Sequence, residues 1–190
     1  MKYENDIYYI NQVLQGNTFA FTHLINKHKN PLFNLAIKII KNRESAEECV
    51  QDAFLKAYNS IADFRSNAKF STWMYKIVYN TAISATRKYN PIKEDITEFE
   101  EIIEDESILN AIDNLHNEEK KKYIDLALDS LEESDRAIIV LYYFEEKSLE
   151  EIAEITNLHT SNIKTKLFRS RKKLFAEFNN ILKNELIDWV

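Results

Sequence analysis

The sequence predicts an all-α protein, and three observations support this prediction. Among its 190 residues Gly occurs once and Pro twice, although strands and tight hairpins depend on such turn residues. Apolar side chains recur at helical spacing along most of the chain. A serine followed three residues later by a glutamate, the capping-box pattern of a helix start, occurs at Ser45 and again at Ser148.

The N-terminal half predicts four helices. Gly16 stands where a left-handed residue is expected after the first helix. Pro31 falls inside the second, which it should bend or break because proline removes a hydrogen bond and clashes with the preceding turn. Ser45 should cap the third helix, and the loop FRSNAKF precedes the fourth. The expected helices cover residues 6–14, 18–41, 46–61 and 71–88.

Charge is strongly partitioned along the chain, although the overall net charge is only −6. Residues 1–89 carry a net charge of +5, residues 90–135 carry −12, and residues 136–190 carry +1. The segment 94–119 has 11 acidic residues and no Lys or Arg, whereas 160–174 has six basic residues and no acidic one. This pattern predicts two small helical domains joined by an acidic linker.

Composition disfavours several classes of function. The single cysteine, Cys49, excludes a disulfide framework, and the four histidines are scattered without metal-ligand spacing. No Gly-rich phosphate loop or nucleophile with a partner is recognisable. We therefore expect no enzyme activity, no cofactor and no metal. The apolar run 137–144 is far shorter than the ~20 residues of a membrane span, and no signal peptide is visible, so a soluble cytoplasmic protein is expected.

The most specific local pattern is a basic helix-turn-helix at residues 149–174. Ser148 should cap its first helix, small Ala153 suits a close helix crossing, and Asn157 tolerates the positive φ of the turn. Thr160 should cap the second helix, which turns Ile163 inward. A basic amphipathic helix can also be only a solvated surface, but the cap, the turn and the six basic residues favour DNA recognition. Repressors, response regulators and sigma factors all share this motif.

The rest of the chain resembles the extracytoplasmic-function (ECF) RNA polymerase sigma factors of the sigma-70 family. Residues 19–88 resemble sigma region 2, with LQGNTFAFTHLINKH leading into them, then AEECVQDAFLKAY and FRSNAKFSTWMYKIVYNTAISATRK. Residues 125–175 resemble region 4, a match carried by LDSLEESDRAIIVLYYFEEKSLEEIAEITNLHTSNIKTKLFRSRKKL. The segments follow the family's order and spacing. The resemblance implies region 2 in residues 1–89, the acidic linker in 90–122 and region 4 in 123–190.

The resemblance also implies a role for three groups of residues. The surface that binds the β′ clamp helices of core polymerase would comprise Glu48, Gln51, Asp52 and Lys56. Recognition and melting of the −10 element would use Arg65, Ser66, Asn67, Lys69, Trp73, Lys76, Asn80, Arg87 and Lys88, with Tyr75 and Tyr79 as further aromatic candidates. The −35 element would be read by Thr160, Ser161, Asn162, Lys164, Thr165, Lys166, Arg169 and Arg171.

The implied partners are core RNA polymerase, through its β′ clamp helices and β flap, promoter DNA, and an inhibitory anti-sigma factor. Two other classes of function stay open from the residues alone. The first is an autonomous repressor or activator that binds duplex DNA without polymerase. The second is an interaction protein whose acidic middle is the binding element, which the basic recognition helix disfavours.

Overall fold

The computed structural model describes residues 4–64, 69–87 and 124–187, and within these ranges it contains α-helices and short 3-10 turns but no strand. The all-α prediction is therefore confirmed. The predicted acidic linker 90–122 lies outside the described residues. No described helix is both long and apolar enough to cross a membrane.

Four α-helices and two 3-10 turns form the N-terminal module. Its core includes Leu24, Leu35, Ala53 and Met74, each at 0% exposure. α2 packs against both α3 and α4, which also pack against each other, so these three helices surround a common apolar centre. The elements are α1 (Glu4–Leu14), a 3-10 turn (Thr18–Ala20), α2 (Phe21–Ile40), α3 (Arg43–Asn59), a 3-10 turn (Ile61–Asp63) and α4 (Phe70–Arg87).

The C-terminal module comprises α5 (residues 124–129), α6 (Glu133–Tyr143), α7 (Leu149–Thr156) and α8 (Thr160–Ile187). α8 packs against both α6 and α7. Ile138 and Leu141 of α6 are fully buried, as are Ile152 of α7 and Ile163 of α8. The module therefore buries a small apolar centre of its own, between α6 and the two helices of the predicted helix-turn-helix.

The predicted cap of α3 is wrong. The helix begins at Arg43, three residues before the expected start, and Asn42 is its N-cap in an extended conformation. The Asn42 side-chain oxygen accepts a hydrogen bond from the backbone N–H of Ser45 at 2.9 Å. Asn caps a helix as well as Ser does, so the Ser45–Glu48 spacing was not decisive.

Pro31 does not break the second helix, because α2 continues through it from Phe21 to Ile40. A proline inside a helix costs about 3 kcal/mol. On either side of it, Leu24, Leu32 and Leu35 are at most 1% exposed. Burying a leucine side chain contributes about 1.5–3 kcal/mol, so the apolar face of α2 offsets the cost of the proline. By contrast, the expected left-handed residue after α1 is confirmed, since Gly16 has a φ of +96°.

The two modules pack directly against each other. α6 lies against α2, and α7 lies against α4. The buried apolar residues of the N-terminal module and those of α6, α7 and α8 form one continuous cluster. We call this packing of α6 on α2 and of α7 on α4 the closed arrangement.

Arg136 is the buried polar residue that fixes α6 on α2. It is 3% exposed, and its guanidinium donates hydrogen bonds to four backbone oxygens. Two belong to Lys38 and Ile39 in the last turn of α2, at 3.0 and 3.4 Å, and two to Leu128 and Leu131 around the end of α5. The C-terminal end of a helix carries unpaired carbonyls and partial negative charge, which a cation stabilises.

A second polar network joins α1 to α2 through Asp6, which is 4% exposed. Its carboxylate accepts hydrogen bonds from Lys27 Nζ at 2.6 Å and pairs with His28 Nε2 at 3.1 Å. Burial by itself would raise the pKa of the Asp6 carboxyl, but the bonds and charges of His28 and Lys27 together lower that pKa below its ordinary value of 3.8.

We predict that replacing Arg136 with methionine lowers the free energy of unfolding by about 3 kcal/mol, because four buried carbonyl oxygens lose a charged donor. Urea denaturation followed by circular dichroism measures this change. Lys173→Met on the exposed face of α8 is the control, and should change stability by less than about 0.5 kcal/mol. Equal effects of the two substitutions would contradict the role of Arg136.

The lowered pKa of Asp6 predicts acid sensitivity with a defined sign. A carboxyl whose pKa is lower in the folded state stabilises the fold above its unfolded pKa of about 4, and this contribution disappears as the pH falls through the folded pKa. Unfolding free energies measured from about pH 5.5 to pH 2.5 should fall more steeply for the wild type than for Asp6→Asn. Asp63→Asn, on an exposed turn, should keep the wild-type slope. The same slope for all three proteins would refute this prediction.

Candidate nucleic-acid interface

The predicted helix-turn-helix is present, formed by α7 and α8. Ser148 Oγ accepts a hydrogen bond from the backbone N–H of Glu151 at 3.2 Å, and the Glu151 carboxylate accepts one from the backbone N–H of Ser148 at 3.0 Å. This reciprocal capping box fixes the start of α7. Asn157 ends α7 in the left-handed conformation, with φ 59° and ψ 34°, as the sequence predicted. The turn then directs the chain into α8.

α8 begins at Thr160, and the backbone N–H of Ile163 donates to the oxygen of His159 at 3.1 Å. His159 therefore occupies the N-cap position that was predicted for Thr160. Ile163 and Leu167 are at most 2% exposed and face the module's centre, as expected. Their burial turns the opposite side of α8 toward solvent.

The residues predicted to read the −35 element are partly half-buried and partly exposed, according to the side of α8 on which they lie. Lys166 is half-buried, and its ammonium makes an ion pair with Asp135 of α6 at 2.5 Å. Thr165 is half-buried too, and its hydroxyl donates to the Ser161 oxygen at 3.1 Å. Arg169 is also half-buried. The exposed members are Thr160, Ser161, Asn162, Lys164 and Arg171.

A second polar surface lies on α3, where the four predicted polymerase-binding residues are all exposed: Glu48, Gln51, Asp52 and Lys56. Their spacing of three and four residues places them along one side of the helix. Leu55 lies beside them and is 61% exposed, although leucine is usually buried. Sequence reasoning did not single out Leu55, because an apolar residue at helical spacing is ordinarily expected in the core.

Between α3 and α4 lies an open groove of about 550 Å³. It brings Trp73 and Asn80, predicted for the −10 element, together with Asp52 and Lys56, predicted for polymerase. Lys56 Nζ donates to Thr81 Oγ1 at 3.0 Å, which links the two helices. The α4 residues that line the groove, at positions 73, 77, 80, 81 and 84, recur at helical spacing on one face. This spacing in the sequence could have identified the lining residues that were not predicted. The full lining is Asp52, Lys56, Ser60, Trp73, Ile77, Asn80, Thr81, Ser84 and Ala85.

The aromatic residues of α4 divide between groove and core. Trp73 is half-buried, with ring centroids 5.3 Å from Phe64 and 5.7 Å from Phe70, yet it still lines the groove. Tyr75 and Tyr79 are only 3% and 7% exposed. These two further aromatic candidates are therefore buried in this arrangement and do not line the groove.

The remaining −10 candidates are only partly described. Lys76 is half-buried on α4, and Lys69 is exposed and makes an ion pair with Glu151 of α7 at 2.8 Å. Arg87 is the last residue of α4, and the structure describes its backbone but not its side chain. Arg65, Ser66, Asn67 and Lys88 lie outside the described residues.

The arrangement can therefore contact DNA at two places. A half-buried tryptophan beside amide and hydroxyl groups provides an aromatic surface and hydrogen-bond partners for a base. An exposed helix start with a hydroxyl, an amide and a lysine can reach base edges and phosphates in a major groove. Within the described ranges, no three His, Cys, Asp or Glu side chains are placed to hold a metal ion.

Comparison with known proteins identifies the class. Residues 24–91 match Sigma-70 region 2, and residues 121–174 match Sigma-70 region 4. The chain is 32% identical to the ECF RNA polymerase sigma factor SigW of Bacillus subtilis over 181 residues, which is 90% of this chain and 96% of SigW. It is 28% identical to the ECF sigma-E factor of Escherichia coli K12, over 87% of this chain and 90% of that protein. The chain belongs to the ECF sigma factors of the sigma-70 family.

Two solved structures share the fold. CnrH, in complex with the cytosolic domain of CnrY, superimposes with a TM-score of 0.67 at 21% identity and covers 93% of this chain and 98% of its own. The sigma factor RpoE of Bartonella quintana, in complex with the anti-sigma factor NepR, gives 0.63 at 20% identity, over 84% and 96%. Family and fold together make this protein a transcription initiation factor that directs RNA polymerase, not an enzyme.

The left-handed turn predicts the effect of two substitutions. Asn157→Gly should raise the free energy of unfolding by about 0.5–1 kcal/mol, because glycine has no Cβ to strain at φ 59°. Asn162→Gly, in the first turn of α8, should instead lower it by a few tenths of a kcal/mol, since glycine loses more backbone entropy in a helix than asparagine does. Thermal and urea denaturation of both variants measure the two changes. Equal signs would contradict the role assigned to the turn.

Proposed function

We propose that this sigma factor holds core RNA polymerase through α3, recognises the −10 element with the groove and the loop before α4, and reads the −35 element with α8. The observation that carries the proposal is the exposed start of α8 in a complete helix-turn-helix. There Thr160, Ser161, Asn162 and Lys164 face solvent, and residues 160–174 include no acidic side chain. Such a surface favours the phosphate backbone of DNA and leaves polar groups for base edges.

The roles proposed for the two modules follow the domain boundaries expected from the sequence. Region 2, in residues 1–89, would contact the β′ clamp helices through Glu48, Gln51, Asp52 and Lys56, and exposed Leu55 supplies apolar area on the same helix. Region 4, in residues 123–190, would contact the β flap and the −35 element. Residues 90–122 would join them. A sigma factor of this type acts in the cytoplasm, where polymerase and DNA are found.

Pairing of Lys166 with Asp135 supports a refinement of the −35 surface. An ammonium held at 2.5 Å by a carboxylate is already partly neutralised, so Lys164 is better placed to meet phosphate than Lys166 is. Arg171 also faces solvent, on the next turns of α8. We therefore assign phosphate contact first to Lys164 and Arg171, and base contact to Ser161 and Asn162.

A direct test is transcription in vitro by the full chain with core polymerase on a library of genomic promoter fragments. We expect transcripts above the core-only background from promoters that share spaced −10 and −35 elements. Binding of the isolated chain to the same duplexes should be weak. Strong duplex binding without polymerase, and no polymerase-dependent transcripts, would support an autonomous repressor or activator instead.

We predict that Lys164→Ala weakens the polymerase complex on all selected promoters and reduces the slope of log affinity against log salt by about 1, because one phosphate contact releases about one counterion. Asn162→Ala should instead cost about 1–3 kcal/mol on matched promoters and relax base preference in the −35 element. Fluorescence anisotropy with labelled promoter DNA, at several salt concentrations, measures both. Lys29→Ala, an exposed lysine on α2, is the control and should leave the slope unchanged.

We further propose that an anti-sigma factor inhibits this protein until a signal releases it. Support comes from the two structures that share the fold, since CnrH was solved with the cytosolic domain of CnrY, and RpoE of Bartonella quintana with the anti-sigma factor NepR. Affinity purification of the tagged chain from unstressed cells should yield a protein that blocks transcription in the assay above. Recovery of core polymerase without any inhibitory protein would contradict this part of the proposal.

A further inference from the structure

A polar cavity of about 230 Å³ lies where the turn between α6 and α7 meets α1, α2 and α4. Its lining combines an apolar wall with groups of both charges, whereas polar side chains inside proteins normally pair and leave little space. None of its lining residues belongs to the surfaces proposed for polymerase or for the two promoter elements. These residues are Asp6, Lys27, His28, Pro31, Leu32, Ser71, Tyr75, Glu145 and Lys147.

The charges on the α1 side of the cavity satisfy each other. Both carboxylate oxygens of Asp6 are engaged, one by Lys27 Nζ at 2.6 Å and the other by His28 Nε2 at 3.1 Å. Asp6 is 4% exposed, and these partners keep the pKa of its carboxyl below the ordinary value. This side therefore offers a ligand little further attraction.

The opposite side, in the turn between α6 and α7, carries two charges that are held apart. The Tyr75 hydroxyl donates to one carboxylate oxygen of Glu145, and Lys147 Nζ lies 4.6 Å from the centroid of the same ring. Within the described ranges Lys147 makes no ion pair. The second Glu145 oxygen can therefore accept a hydrogen bond from a ligand, and the Lys147 ammonium can donate one.

The backbone of the turn fixes this separation. Glu146, between the two charged residues, has a φ of 50°, in the left-handed region that residues with a Cβ seldom occupy. The backbone N–H of Glu145 donates to the Val140 oxygen at 3.1 Å, and that of Lys147 donates to the Leu141 oxygen at 2.9 Å. The turn is thus anchored to the end of α6, with both charged side chains lining the cavity.

Ser71 adds an uncharged donor to the cavity. It is the second residue of α4 and half-buried, and its hydroxyl has no hydrogen-bond partner among the residues that the structure describes. The wall formed by Pro31 and Leu32 is apolar, and Leu32 is 1% exposed. An ammonium and a hydroxyl suit a carboxylate, a carboxylate oxygen suits an ammonium, and an apolar wall suits a short aliphatic group.

Volume and charge together define the class of ligand. Pockets for drug-sized molecules measure about 300–1,000 Å³, so a cavity of about 230 Å³ admits a smaller molecule. A pure anion would be repelled by Glu145, and a pure cation by Lys147. Burial raises the pKa of the Glu145 carboxyl above its ordinary value, and a ligand ammonium beside it would stabilise the ionised form. A molecule that carries both charges satisfies both residues.

We propose that this cavity binds a small aliphatic α-amino acid as its zwitterion. The Lys147 ammonium and the Ser71 hydroxyl hold its carboxylate, and Glu145 holds its ammonium. Its side chain lies against Pro31 and Leu32. Because the lining belongs to both modules, the ligand binds only when they are packed together, and it therefore stabilises the closed arrangement. The site does not depend on the roles proposed for DNA and polymerase.

Isothermal titration calorimetry of the full chain with L-alanine and L-valine tests the site. We expect at least one of them to bind with a dissociation constant of about 1 mM or below. Matched controls lack one charged group: propionate and isovalerate lack the ammonium, and ethylamine and isobutylamine lack the carboxylate. Each should bind at least about tenfold more weakly than its parent amino acid, because one charge in the cavity stays unpaired. Binding by neither amino acid, or equal binding by an analogue and its parent, would overturn the proposal.

Substitutions assign the contacts. Lys147→Met should weaken the amino acid about tenfold and abolish its advantage over the amine analogue. Glu145→Gln should also weaken it about tenfold, but should abolish its advantage over the carboxylate analogue. A disturbance of the fold alone would weaken all the ligands alike, which would contradict these assignments. Lys173→Met, on the exposed face of α8, is the control and should bind like the wild type.

Ser71→Ala keeps both charges of the cavity and tests the site even if the charge variants do not fold. It should weaken the amino acid about fivefold, because the ligand carboxylate loses one donor. Circular dichroism verifies that the helix content is kept. Wild-type affinity in Ser71→Ala together with wild-type affinity in a folded Lys147→Met would show that the amino acid binds elsewhere, and would overturn the proposal.

Discussion

The arrangement of the described helices depends on the buried guanidinium of Arg136. It belongs to α6, yet it donates to carbonyl oxygens in the last turn of α2 and around the end of α5. A planar group with five donors can satisfy all four of these acceptors, which would otherwise be buried unpaired, whereas a lysine has only three donors. Since α8 packs against α6, and Asp135 of α6 pairs with Lys166 of α8, Arg136 also helps to fix where α8 lies, the helix proposed to read DNA.

α4 carries residues of the proposed −10 surface and also packs against the helix-turn-helix. One side lines the groove with Trp73 and Asn80, where base contacts are proposed. Another side packs against α7, and its Tyr75 bonds to Glu145 in the turn before α7. Any change in how α7 lies on α4 therefore alters the surroundings of the residues that are proposed to melt DNA.

The sequence predicted the helices and the helix-turn-helix well because these depend on local patterns. Gly16 and Asn157 both have the positive φ that their places at helix ends required. The errors occurred where a local rule competes with its surroundings. Asn42 caps α3 in place of Ser45, and Pro31 stays inside α2 because the flanking leucines are buried. Tyr75 and Tyr79 carry aromatic rings that suit base stacking, but no local pattern shows whether a neighbouring helix covers them.

The sequence by itself determined the all-α class, the positions of most helices, the exposed polar stripe of α3 and the basic helix-turn-helix. It also identified the family, because the segments that resemble regions 2 and 4 follow each other in the family's order. Only the tertiary structure decided that α6 lies on α2 and α7 on α4, that Lys69 is paired with Glu151, and that Lys166 is paired within its own module. The physical reason is that helix formation follows spacing within a few residues, whereas these contacts join residues far apart in the chain.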